Sequence, residues 1–149
     1  MDASRVTLCV GGEIPRDALI ALYDAVGWSA YTAPECVDDL QRALDNSTYL
    51  VTAWNGEQLV GLARGLSDDV AVFYLQDILV RPAYQRQGIG ARLLDSCLER
   101  FGHVRLHILL TDDDEDVARF YEACGFSDTC KLQKHRLHAF VRMPGIDLG

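Results

Sequence analysis

The segment Val80-Arg81-Pro82-Ala83-Tyr84-Gln85-Arg86-Gln87-Gly88-Ile89-Gly90-Ala91 is where residue types and spacing point most directly to chemistry. A β-rich run ends at Val80, a short loop turns, and a helix opens over Gly88-Ile89-Gly90. The first N–H groups of a helix find no acceptor within it, and the positive end of the helix dipole stands behind them. Glycines at 88 and 90 remove the side chains that would hold an anion away from the backbone. Arg86 and Arg92 add cationic reach. The chemistry this favours is capture of a phosphate or diphosphate.

Other phosphate loops fit less well. A P-loop needs Gly-Lys-Ser/Thr, and a dinucleotide fingerprint needs a third glycine where Leu93 stands. The acidic run Asp112–Asp116 makes no calcium loop, because Val117 occupies the sixth position that such a loop reserves for glycine. The five cysteines, Cys9, Cys36, Cys97, Cys124 and Cys130, show no zinc spacing and no disulfide framework. The histidines form no i,i+4 ligand pair on a helix, so no metal site is expected.

These residues need a scaffold. Arg5–Val10 reads as a first strand closed by Gly11-Gly12. Leu19, Leu22, Tyr23 and Val26 follow at helical spacing up to Gly27, and Pro34 opens a second helix with Val37, Leu40, Ala43 and Leu44. Thr48–Trp54 and Gln58–Leu66 flank Asn55-Gly56, a hairpin signal, and Ser67-Asp68-Asp69 leads into the long strand Val70–Val80. Ile89, Leu93, Leu94, Cys97, Leu98 and Phe101 mark the next helix, for which Gly102 supplies a left-handed stop. Val104–Leu110 is a strand; Val117, Phe120, Tyr121 and Cys124 mark a last helix ended by Gly125; Leu132–Met143 reads as one or two closing strands. The order β-α-α-β-β-β-α-β-α-β(-β) predicts an α/β fold with a mixed, mostly antiparallel sheet flanked by helices.

Gln85-x-x-Gly88-x-Gly90, preceded by Ile78-Leu79-Val80-Arg81-Pro82, resembles the acetyl-CoA pyrophosphate motif of the GNAT superfamily of N-acetyltransferases. Phe120-Tyr121-Glu122-Ala123-Cys124-Gly125-Phe126 is similar to that superfamily's Leu/Phe-Tyr-x-x-x-Gly-Phe ending. The two motifs cover about residues 75–126, and the element order agrees with the superfamily's fold. The resemblance implies acetyl-CoA as co-substrate. It assigns its diphosphate to Gln85, Arg86, Gln87, Gly88, Ile89, Gly90 and Ala91, chiefly through backbone N–H groups from Arg86 onward. It assigns the pantetheine arm to the main chain of Ile78, Leu79 and Val80, where an N–H near Leu79 or Val80 would also face the thioester oxygen.

The same resemblance makes Tyr121 the general acid that protonates the departing thiolate, a proton an ordinary phenol still holds at neutral pH. Its own spacing, on one face with Val117 and Cys124, equally describes a core tyrosine. Where many relatives have Glu-Asp ahead of the strand end, this chain has Gln76-Asp77. Glutamine is no base, so Gln76, with Tyr74 on the same strand face, is assigned to positioning the acceptor or a water. Asp77 is the candidate base or ammonium anchor, against a structural carboxylate. Asp114 replaces a frequent asparagine: it either contacts coenzyme A or caps the last helix.

Composition sets the outer bounds. At 149 residues, 49% apolar and 24% charged, the chain fits one globular domain, 1–149. Asp and Glu outnumber Lys and Arg by 22 to 14, so no basic footprint for nucleic acid is visible. No apolar run approaches a membrane span, and Met1–Arg5 lacks signal-peptide order, which makes a cytoplasmic location the default expectation. The expected activity is direct transfer of acetyl from acetyl-CoA to a primary amine of a small-molecule acceptor. A protein or peptide amine acetyltransferase and a non-catalytic acyl-CoA-binding module are the alternatives, and oligomeric state stays open, a homodimer included.

Overall fold

The computed structural model describes residues 2–149, which fall into two compact units, 2–110 and Thr111–Gly149. The first unit contains strand β1 (Thr7–Val10), helix α1 (Arg16–Ala25), helix α2 (Val37–Asp45) and a meander of β2 (Tyr49–Asn55), β3 (Gln58–Ser67) and β4 (Val72–Val80). Helix α3 (Ile89–Arg100) and strand β5 (Leu106–Leu109) complete it. The strands lie in the order β1-β2-β3-β4-β5; every pairing is antiparallel except β4 with β5, which is parallel. A parallel neighbour needs a crossover, and α3 provides it.

The hairpin signal works one residue later than expected. Asn55 pairs with Gln58 as the last rung, so Gly56-Glu57 form the two-residue turn. Gly56 has φ +61, the left-handed first position of a hairpin turn that glycine fills without strain.

The two sheet faces bury different partners. On one, Leu19, Leu22 and Tyr23 of α1 and Leu40 and Leu44 of α2 pack with Leu59, Leu62 and Leu79 of the sheet. On the other, Phe101 at the end of α3 stacks on Phe73 with ring centroids 4.6 Å apart, and Tyr49 meets it edge-on. A side chain on Gly61 would stand 3.0 Å from Leu93, so its absence lets α3 lie close against β3. Cys97 is fully buried here, and burial pushes its thiol up to about 12, the behaviour of a small apolar residue rather than a nucleophile.

Gly102 corrects an expectation. Its φ is not positive; a Cβ there would come within 3.3 Å of the Leu98 carbonyl oxygen, so glycine eases a close approach and makes no left-handed stop. The second unit contains helix α4 (Glu115–Ala123) and, among the described residues, no strand. The closing strands expected over Leu132–Met143 are therefore absent, because a strand needs a neighbouring backbone and this unit offers none. Among the described residues no helix is long and apolar enough to cross a membrane.

Candidate functional site

The loop from Arg81 to Gly88 is clamped from below and bare on top. Arg81 donates from its backbone N–H to Val60 and from Nε to the Leu59 carbonyl. Tyr84 is buried; its hydroxyl accepts from Asn55 Nδ2 at 2.7 Å and lies 3.3 Å from Gln58 Oε1. Both residues fasten the loop to the β2–β3 hairpin. The Gln85 side chain donates to the Val80 carbonyl and its backbone N–H donates to Pro82, so Gln85 braces the turn. Arg86, Gln87 and Gly88 are exposed, and left-handed backbone at Arg86 (φ +62) and Gly88 (φ +83) turns the chain into α3.

Gly88 is the N-cap of α3 and no side chain caps that end. The first intrahelical bond runs from the Arg92 N–H to the Gly88 carbonyl, so the N–H groups of Ile89, Gly90 and Ala91 precede the ladder. A Cβ on Gly88 would meet nothing within 4 Å, so the space before this helix start is open. Arg92 departs from expectation: its guanidinium donates to the Val6 carbonyl at 2.9 Å, tying α3 to the entry of β1 instead of reaching over the loop.

Directly upstream, β4 outruns its neighbour. β5 pairs only with Val72–Leu75, so Gln76–Val80 have no strand on that side among the described residues. The Arg81 N–H points to β3, and strand alternation then directs the main-chain groups of Leu79 and Asp77 the same way. The N–H groups of Ile78 and Val80 and the Ile78 carbonyl consequently face the open side. One stretch of chain thus carries an open strand edge and, after a fastened loop, an uncapped glycine-lined helix start.

Gln76 is a bulge. Arg64 pairs with Asp77 and Gly65 with Leu75, which leaves Gln76 without a partner and its side chain exposed. Phe73 and Leu75 point toward α3, so plain alternation would send Asp77 there too. The extra residue turns Asp77 onto the α1–α2 face, the face Tyr74 shares. There Asp77 Oδ2 accepts from Arg64 Nε at 2.6 Å and from the Tyr23 hydroxyl at 3.0 Å. Arg64 also donates to the Ala43 carbonyl and Ser47 Oγ at the end of α2. Burial and the Asp77 charge push the Tyr23 phenol far above its ordinary value, so it stays a donor. The candidate base therefore sits in an ion pair, with the Arg64 guanidinium and the Tyr23 hydroxyl both donating to the same carboxylate oxygen.

In the second unit Asp114 caps α4: its Oδ1 accepts from Asp116 N–H at 2.8 Å and Val117 N–H at 3.2 Å. Tyr121 is buried, with Phe126 5.9 Å away and edge-on and Phe120 5.1 Å away. Phe126 N–H donates to the Tyr121 carbonyl and Gly125 N–H to Glu122, a paired closure that needs the left-handed Gly125 (φ +94). Burial pushes the Tyr121 phenol up to about 12.

Tyr84, Arg64 and Tyr23 carry no expectation in the sequence, although they hold the loop and Asp77 in place. Tyr23 reads there only as an apolar-face residue, and nothing local links Arg64 to a carboxylate thirteen positions away. Only the bulge brings them together.

Residues 16–126 match the model of the acetyltransferase (GNAT) family. A histone acetyltransferase, TAP1, of Glycine max is 30% identical over 78% of this chain and 53% of its own length. A ycf52-like N-acetyltransferase of Prochlorococcus marinus is 28% identical over 71% of this chain and 59% of its own. The chain thus spans a little over half the length of these curated relatives. A GNAT-family acetyltransferase of Streptococcus pneumoniae superposes with a TM-score of 0.75 at 29% identity, covering 93% of this chain and 99% of that one. An aminoglycoside acetyltransferase from a soil metagenome, solved with sisomicin, superposes with a TM-score of 0.68 over 94% of this chain and 97% of its own. At 18% identity it shows the shared fold alone.

Proposed function

Because the chain belongs to the acetyltransferase (GNAT) family, we propose that it moves an acetyl group from acetyl-CoA to a primary amine of a small molecule, by direct attack with both substrates bound. The observation that carries this reading is the continuity of the open β4 edge with the uncapped start of α3. A pantetheine arm presents amides and carbonyls that a strand edge can pair, and a diphosphate needs N–H donors with no side chain before them. Ile78 and Val80 would serve the first need, and Gly88, Ile89, Gly90 and Ala91 the second. Gln85 would act by shaping the loop more than by touching the ligand.

In this reading the N–H groups on the open side of Ile78 and Val80 stabilise negative charge developing on the thioester oxygen. Tyr121 supplies the proton to the leaving thiolate. Gln76 and Tyr74 orient the acceptor or a water. Asp77 acts by its fixed charge within the Arg64–Tyr23 cluster, and the amine loses its proton to solvent. Asp114 keeps the start of α4 in place, and its second oxygen is left for a contact with coenzyme A.

Titration calorimetry with acetyl-CoA tests the donor site. Wild type binds, and Gly90→Glu, which places a bulky anion at the helix start, weakens binding about a hundredfold without loss of the cooperative melt. Thiol release across spermidine, tryptamine, an aminoglycoside and a lysine peptide then tests catalysis and acceptor class. Binding without release on any amine leaves an acyl-CoA-binding module, and release on the peptide alone moves the activity to protein substrates.

A further inference from the structure

Between Arg81 and Gly88 a single residue, Tyr84, is buried; it keeps 3% of its surface. Its hydroxyl meets two groups of opposite character. Asn55 Nδ2 can only donate, so the phenol oxygen accepts from it at 2.7 Å. Gln58 Oε1 can only accept, so the phenol proton is directed to it at 3.3 Å. Asn55 and Gln58 form the last rung of the β2–β3 hairpin, one on each side of Gly56-Glu57. One oxygen atom thus ties the loop to both strands of the hairpin.

The loop needs such a tie, because its backbone is not at rest. Arg86 holds φ +62, a left-handed conformation that residues with a Cβ disfavour, and its neighbours must keep it there. The remaining bonds do not place the middle of the loop. Arg81 is fastened to Val60 and Leu59, but at the loop's very start. Gln85 and Gln87 donate to the Val80 and Ala83 carbonyls, which belong to the same stretch of chain, so they shape the turn without anchoring it. Tyr84 is the last side chain before the exposed run Gln85–Gly88 that crosses to the hairpin.

We infer that Tyr84, acting with Asn55 and Gln58, is a positioning residue for the diphosphate: it fixes where the N–H groups at the start of α3 stand, and so sets affinity for acetyl-CoA without touching it. The inference rests on the reading of that helix start as a diphosphate site. Stability and affinity then part company. Gln58 is exposed and Asn55 half-buried, so water can serve both amides once the hydroxyl is gone, and a phenylalanine ring fills the same buried space. Water does not hold the loop to the hairpin, however. A set of donors converging on one anion tolerates little displacement, because each hydrogen bond weakens steeply as its angle falls. The hairpin tip becomes, through this one hydroxyl, part of the machinery that grips the donor.

Three measurements on the full chain test it: the urea midpoint, acetyl-CoA affinity by calorimetry, and the amide cross-peaks of Gly88 and Gly90 in the ligand-free protein. Tyr84→Phe should leave the midpoint in place, weaken acetyl-CoA about tenfold, the worth of one hydrogen bond, and move both cross-peaks. Asn55→Ala, which keeps the tyrosine and removes its donor, should move the same cross-peaks and weaken affinity in the same direction. The double variant should bind no worse than Tyr84→Phe alone, since both changes break one chain of bonds. Unchanged affinity and cross-peaks in Tyr84→Phe overturn the positioning role while the diphosphate site stands. Affinity that falls only as far as the midpoint falls reduces Tyr84 to a structural residue, and additive losses in the double variant show that Asn55 acts elsewhere; each overturns the inference. Cross-peaks that move in a chain whose wild type binds no acetyl-CoA remove the diphosphate reading itself, and the role given to Tyr84 with it.

Discussion

Arg64 and Asp77 keep only 11% and 12% of their side-chain surface, so each depends on the other for its charge. Removing one partner of such a pair strands the other, whereas removing both does not. We expect Asp77→Ala to cost about 3 kcal/mol in urea denaturation and Arg64→Met/Asp77→Leu to recover most of it. A loss of turnover in Asp77→Asn with unchanged stability would instead restore Asp77 to the role of base. Tyr121 makes a separate forecast. Its phenol holds its proton to about pH 12 in the native chain against about pH 10 unfolded. The stability this contributes is complete below pH 10 and fades as pH rises toward 12. A proton donor with that value gives a rate profile with no alkaline limb below pH 10. Tyr121→Phe should lower turnover about a hundredfold while calorimetry shows unchanged acetyl-CoA affinity. The left-handed turn at Gly88, the helical face of Tyr121 and the Asp114 cap were legible because their signals are local: a turn, a spacing, a cap. The partners of Asp77 were not, because they lie on other elements and the strand's phase decides whether they meet.

The bulge that sets that phase has a single enabling residue. A Cβ on Gly65 would stand 2.4 Å from the Phe73 ring and 2.6 Å from the Tyr74 carbonyl oxygen. Gly65→Ala should therefore cost about 1–3 kcal/mol in thermal or urea unfolding. It should also lower acetyl-CoA affinity, since the pressure falls on the strand that presents Ile78 and Val80. A variant with wild-type stability and affinity would show that β4 can shift at no cost. Elements with a strong period were readable to within a few residues: α3 from its apolar face, α4 from Val117–Cys124, the hairpin from Asn55-Gly56. The C-terminal strands failed for a different reason. Residues 137–143 alternate as a strand would, but no neighbouring backbone pairs with them among the described residues, and alternation alone does not supply one.

Across the whole molecule, β3 is the central strand of the sheet, and short turns join it to both of its neighbours. Its amides should exchange slowest in a hydrogen-exchange experiment, with β1 and β5 faster. The reverse order would mean that the core lies elsewhere. The same topology bears on how the chain assembles. β2, β3 and β4 join through short turns, whereas Thr7 reaches Trp54 only across α1 and α2, and Val72 reaches Leu106 only across α3. Contacts between distant positions form late because the intervening chain must first give up its freedom. The meander would nucleate and the parallel seam close afterwards, so the open edge that β4 presents beyond Leu75 is defined near the end of folding. If the proposed reading holds, a nascent chain would acquire the capacity to hold a nucleotide thioester only when nearly all of residues 2–110 has emerged and folded.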